Sequence, residues 1–130
     1  QYPSAKAVYN GLSGKSSTGH KHTGWTAISD VITGGSLHVN DDIKMATFRF
    51  GNTGLNFPRA NTTYWLTKSG VTSTTGNSII PDDYCPVTSI ILSAYSTTLF
   101  GSVDASGIIN VQSSTADSSK GVQLYGVWHF

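Results

Sequence analysis

"GVQLYGVWHF", residues 121–130, alternates large apolar side chains with other residues at a period of two. Successive side chains of an extended strand point to opposite faces. Val122, Leu124, Trp128 and Phe130 therefore share one face, and Gln123, Tyr125, Val127 and His129 the other. The segment reads as a β-strand with apolar groups on both faces. "DIKMATFRF", residues 42–50, repeats the pattern, with Ala46, Phe48 and Phe50 on one side and Ile43 and Met45 on the other. A monomeric sheet with one wet face carries less apolar surface than this, so a subunit interface is the simplest use of the second face.

Working outward, "VTSIILSAYS" (87–96) and "GIINVQSS" (107–114) read as further strands. From Trp25 onward, short alternating segments are separated by Gly, Asn, Asp and Pro at the intervals of an antiparallel sandwich or barrel. "SVDASGIINV" predicts a hairpin in which Asp104 opens the turn and Gly107 takes a positive φ. No helical period occurs in this part. The expected fold class is all-β, an antiparallel β-sandwich or barrel head domain over residues 25–130.

The first 24 residues differ. Pro3 suits a first helical turn, and Ala5, Val8 and Leu12 recur at helical spacing, which predicts a short helix over 3–12. Such a helix is marginal alone, and its apolar seam is too narrow to bury itself on a sheet, so it calls for parallel copies. Residues 14–24 have linker composition. The expectation is a neck over 1–24, the end of an oligomeric stalk. A chain opening on "QYPSAKAVYN" without an initiator Met reads as a piece of something longer, with the rest upstream. The closing strand places the head at the distal end of that parent.

Composition narrows the function. Charged residues are 12% of the 130, the formal net charge is +1, and the basic residues are scattered singly, so no nucleic-acid footprint is present. No apolar run approaches the roughly twenty residues of a membrane-spanning helix, and no signal segment opens the chain, so no membrane insertion is expected. Cys85 is the single cysteine and cannot form an internal disulfide. Beside Tyr84 and Pro86, with no evident base, it reads as a packed apolar group.

His20 and His22 form an H-x-H in "GLSGKSSTGHKHTG". In an extended segment they project to the same side, close enough to share a metal. Two ligands are too few for a tetrahedral or octahedral site, but a three-fold axis would supply six imidazoles for a transition-metal ion. The alternative is two exposed or stacked histidines without metal. Asp41 with Asp42 and Asp82 with Asp83 are paired acids beside turn-forming residues. Adjacent strand residues point apart, so only one member of each pair could converge as glycosidase carboxylates. No G-x-S-x-G elbow and no phosphate loop occurs.

"NFPRANTTYWLTKSG", residues 56–70, sets Arg59, Asn61, Tyr64, Trp65 and Lys68 close in sequence. Aromatic faces beside planar hydrogen-bonding groups suit sugars, and Arg adds a bidentate grip on phosphate, although Trp65 fits a core position equally. His38 and Asp41 in "HVND" are a second candidate.

"YPSAKAV" and "GHKHTG" in residues 1–24 resemble the neck of bacteriophage tail-fibre and receptor-binding proteins. "TGWTAI", "IIPDDYCP" and "VQLYGVWHF" are similar in layout to heads of such proteins from phages of lactic-acid-type Gram-positive bacteria. "IIP" stands where Leu-Pro is usual in that family, and Cys85 where Arg is common, so no ligand contact transfers at that segment. The resemblance implies a parallel homotrimer at the tip of a phage tail, in the virion. Its antiparallel β head would bind host cell-wall or surface polysaccharide, often between protomers, and upstream tail or baseplate proteins would hold it. It also implies a metal ion on the three-fold axis at His20 and His22. The expected function is non-enzymatic saccharide attachment. The alternatives are a glycan depolymerase using one Asp from each pair, or a purely structural fibre tip.

Overall fold

The strand that holds the alternation of residues 121–130 runs over Asp117–His129, alternates in burial from Lys120 onward, and lies in the interior of the sheet. The structure, a computed structural model, describes residues 24–74 and 76–130. The predicted helix and the pair His20 and His22 lie outside the described residues.

Nine strands follow in chain order: β1 (Thr26–Ile28), β2 (Gly35–Asn40), β3 (Met45–Phe57), β4 (Thr62–Thr67), β5 (Gly70–Thr72), β6 (Ile90–Ala94), β7 (Leu99–Val103), β8 (Ile109–Ser113) and β9 (Asp117–His129). All pair antiparallel in one curled sheet with the order β1-β2-β3-β9-β6-β7-β8-β4-β5. β6 makes the corner, because Ile90–Leu92 pair with β7 whereas Ser93 and Ala94 pair with β9. The halves on either side of it curl over a shared core. Phe57 of β3 meets Tyr64 of β4 edge-on at 5.8 Å, and Thr33 N–H donates to the Lys68 carbonyl at 3.0 Å, tying the sheet's two ends together. The all-β, antiparallel expectation holds, and the sheet takes the form of a half-barrel.

Burial follows the period of two. Val122, Leu124 and Trp128 of β9 and Ala46, Phe48 and Phe50 of β3 are buried, while Gln123, Tyr125 and His129 point outward. Each fully buried Val, Leu or Phe contributes roughly 1.5–3 kcal/mol. Gly126 interrupts the inward row of β9 for a packing reason: a Cβ there would lie 2.3 Å from Leu92 Cδ2. At the end of β9, Trp128 Nε1–H donates to the Tyr84 carbonyl at 2.6 Å, and the Tyr84 and Phe130 rings meet edge-on at 5.2 Å. These contacts seat the "IIPDDYCP" segment.

Two turns follow side-chain chemistry. Asp104 Oδ1 accepts from the N–H groups of Ser106 and Ile108 at 2.9 and 3.0 Å, and Gly107 has φ +80°, as the hairpin reading required. β3 starts at Met45 rather than Asp42. Asn40 Oδ1 accepts from Asp42 N–H at 3.0 Å and Ile43 N–H at 3.4 Å, and Lys44 has φ 54°, so residues 41–44 form a turn.

Candidate functional site

The outward face of the central strands carries the site. Register places Ser36 of β2 opposite Arg49 of β3, Arg49 opposite Tyr125 of β9, and Tyr125 opposite Ser93 of β6. These side chains form one row across the sheet because each sits at an outward position of its strand. The Arg49 guanidinium carbon lies 5.5 Å from the Tyr125 ring centroid. In the next row Gly51 stands opposite Gln123, and Tyr95 N–H donates to the Gln123 carbonyl at 3.2 Å. The Tyr95 ring is 88% exposed and Tyr125 is 39% exposed.

Together these groups line an open groove of about 700 Å³, within the usual range for ligand sites. Gly34 and Gly35 close one end. Gly34 has φ +79°, its carbonyl accepts from Gly51 N–H at 3.0 Å, and a Cβ on it would lie 2.6 Å from the Gly51 oxygen, so this approach needs glycine. Among the described residues Arg49 is the one charged side chain in the lining, and no carboxylate joins it. The groove therefore offers two tyrosine faces, a cationic fork, an amide and hydroxyls, a set suited to a neutral or anionic polyhydroxylated ligand.

The cluster picked out over residues 56–70 does not assemble. Tyr64 and Trp65 are neighbours in β4, so the alternation sends them to opposite faces. Tyr64 is a core residue, 5% exposed, whose hydroxyl accepts from Arg59 N–H at 3.1 Å. Trp65 is half-buried on the outward side, opposite Asn110 and Thr72. Arg59 and Asn61 occupy an exposed turn, where Asn61 has φ 53° and its N–H donates to the Ser113 carbonyl at 2.7 Å. Tyr64 is thereby corrected from ligand contact to packing.

His38 and Asp41 also part. His38 faces outward on β2, opposite Thr47, two residues along the strand from Ser36 and just outside the groove. Asp41 lies in the following turn, where it lines a cavity of about 380 Å³ with Lys44, Asp83, Tyr84 and Phe130. One member of each acidic pair thus borders a common space, with Lys44 Nζ 5.8 Å from the Phe130 ring centroid. Both carboxylates are exposed, without the apolar enclosure typical of a glycosidase proton donor.

Burial, and secondarily the charges of Asp82 and Asp104, raise the Cys85 thiol above its ordinary value, which favours its protonated form. Among the described residues no three His, Cys or Asp side chains gather as a metal site, and no helix is long and apolar enough to cross a membrane.

Gln123 and Tyr125 lie in the closing stretch whose alternation reveals the fold, and their face reads as interface from sequence; Arg49, in the other such stretch, was not singled out. Ser36, Ser93 and Tyr95 carried no signal, because only the pairing of β2, β3, β9 and β6 brings them together. Comparison with protein-family models and with curated proteins finds no match to the chain.

Proposed function

We propose that this chain is the receptor-binding head of a bacteriophage tail, a non-enzymatic module that attaches to host cell-wall or surface saccharide. The observation that carries the saccharide reading is the Arg49–Tyr125 pair beside exposed Tyr95, around a groove with no carboxylate. Tyrosine faces pack on the C–H faces of a pyranose, and the guanidinium holds hydroxyls or an anionic substituent. The phage assignment rests on the neck motifs "YPSAKAV" and "GHKHTG".

In this reading the chain works as a parallel homotrimer at the tail tip, joined through its helical neck to upstream tail or baseplate proteins. His20 and His22 from each copy hold a transition-metal ion on the axis. Val87, Ile91, Phe100 and Val127 are exposed apolar side chains available to a second copy. Three groove sites on one tip, repeated over many tips, convert weak single contacts into strong attachment.

Isothermal calorimetry of the intact protein against purified cell-wall polysaccharides from a panel of Gram-positive strains tests the reading. Binding to at least one, lost in Tyr125→Ala and kept in Trp65→Ala, is expected. No binding to any of them overturns it.

The shared space between Asp41 and Asp83 favours a second reading, a depolymerase tip. Reducing ends released from a bound polysaccharide, and abolished by Asp83→Asn, would establish it.

A further inference from the structure

The sugar groove does not end at Gln123. A second cavity of about 440 Å³, lined by Gly51, Asn52, Thr53, Val122 and Gln123, shares Gly51 and Gln123 with the first. Arg49, Gly51 and Thr53 are successive outward positions of β3, so the two cavities follow the β3–β9 ladder in line.

What joins them is the absence of a side chain at Gly51. A Cβ added there meets nothing within 4 Å, and its φ is not in the left-handed region, so neither packing nor backbone conformation calls for glycine. Gly126 and Gly34 differ, each being fixed by a close neighbour. A glycine inside a strand marks a bulge, a bend or a close approach to the backbone; Gly51 stands one residue before the register shift of β3 and leaves open space over the ladder for a ligand.

Building on the saccharide reading above, we propose that the groove takes a linear oligosaccharide lying along β3 and β9 rather than one terminal sugar, with Thr53 contacting the unit beyond Arg49 and Tyr125. From Arg49 to Thr53 the strand advances about 13 Å, longer than a single sugar ring. The Gln123 amide stands between the cavities and can donate to one side and accept from the other. Among the described residues no charged side chain lines the second cavity, so hydroxyls are read there, while Arg49 grips the end that carries any acidic substituent.

The test uses size-fractionated fragments, from single sugars to tetrasaccharides, released by partial hydrolysis of a polysaccharide the intact protein binds. Affinity should rise at least tenfold from the shortest to the longest fragment. Gly51→Val, a residue at home in a strand, should leave the melting temperature unchanged and remove that length dependence. A Thr53→Ala variant, outside the first groove, should weaken the length dependence and spare the affinity for single sugars, and it keeps the test open should the valine variant fail to fold. Equal affinity at every length, or wild-type length dependence in the variants, overturns the proposal while leaving the saccharide reading intact. A change in sedimentation without a change in glycan affinity also overturns it, because Gly51 would then accommodate a protein partner. Failure to bind any polysaccharide removes both readings.

Discussion

Arg49 and Tyr125 face each other across the β3–β9 ladder, with the guanidinium 5.5 Å from the ring centroid. On an exposed surface such a pair contributes only about 0.5–1 kcal/mol to stability. Its larger effect is to hold a planar fork over the groove. Arg49→Ala should shift unfolding free energy by no more than about 1 kcal/mol while lowering polysaccharide affinity roughly tenfold or more, the worth of one charge-assisted hydrogen bond. Arg49→Lys keeps the charge and loses the fork, so it should recover little of the loss. Calorimetric titration alongside thermal melts separates the two quantities, and full binding by the lysine variant would show that charge alone suffices.

Gly126 sits under Leu92, where an added Cβ would lie 2.3 Å from Cδ2. Overpacking of this kind costs roughly 1–3 kcal/mol. Gly126→Ala should destabilise within that range, and pairing it with Leu92→Ala should cost less than the sum of the two single changes, because each relieves the other. Urea unfolding of the four proteins measures the coupling; additive losses would mean the leucine turns aside without strain.

The inward faces of β3 and β9 were legible because alternation over many residues overdetermines them: Phe48, Phe50, Val122, Leu124 and Trp128 all lie where the period of two puts them. The Asp104–Gly107 turn was legible for a local reason, since its hydrogen bonds join residues within four of one another. The face proposed to bind ligand was not. Proximity in sequence drew Tyr64 and Trp65 together, yet adjacent strand positions diverge, whereas Ser36, Arg49, Tyr125 and Ser93 meet only through long-range pairings that one sequence does not encode visibly. Outward Gln123 and Tyr125 were visible but read as interface, because an exposed aromatic suits a partner chain and a ligand alike.

Lys120 is 9% exposed and has hydroxyl partners rather than a carboxylate: Nζ donates to Thr98 Oγ1 at 2.7 Å and Thr115 Oγ1 at 3.1 Å. It stands opposite Leu55, just after the register shift in β3. Its apolar stem supplies packing, and the two hydroxyls hold its ammonium in place. Lys120→Met keeps the stem and removes the charge, so it should change stability by no more than about 1 kcal/mol in either direction. Lys120→Ala also opens a void and should cost about 1–3 kcal/mol. Guanidinium melts distinguish the cases; a large loss in the methionine variant would show that the ammonium bonds, not the stem, hold this end of the sheet.

Cys85 directs its thiol at the Ile80 and Pro81 carbonyls, at 3.6 and 3.5 Å. Burial raises its titration above the ordinary value, and the negative charges of Asp82 and Asp104 add to the effect. The folded chain therefore holds this proton more tightly than the unfolded chain. Stability from this group is intact below the unfolded thiol's value of about 8.5. It is lost as pH climbs from there through the folded value, because the unfolded state ionises first. Iodoacetamide should accordingly alkylate the native protein at pH 8 at least tenfold more slowly than the urea-unfolded protein. Unfolding free energy should decline slightly above pH 8.5 in wild type relative to Cys85→Ala, whose pH profile lacks this component. Equal alkylation rates in native and unfolded protein would mean that the thiol is neither shielded nor shifted.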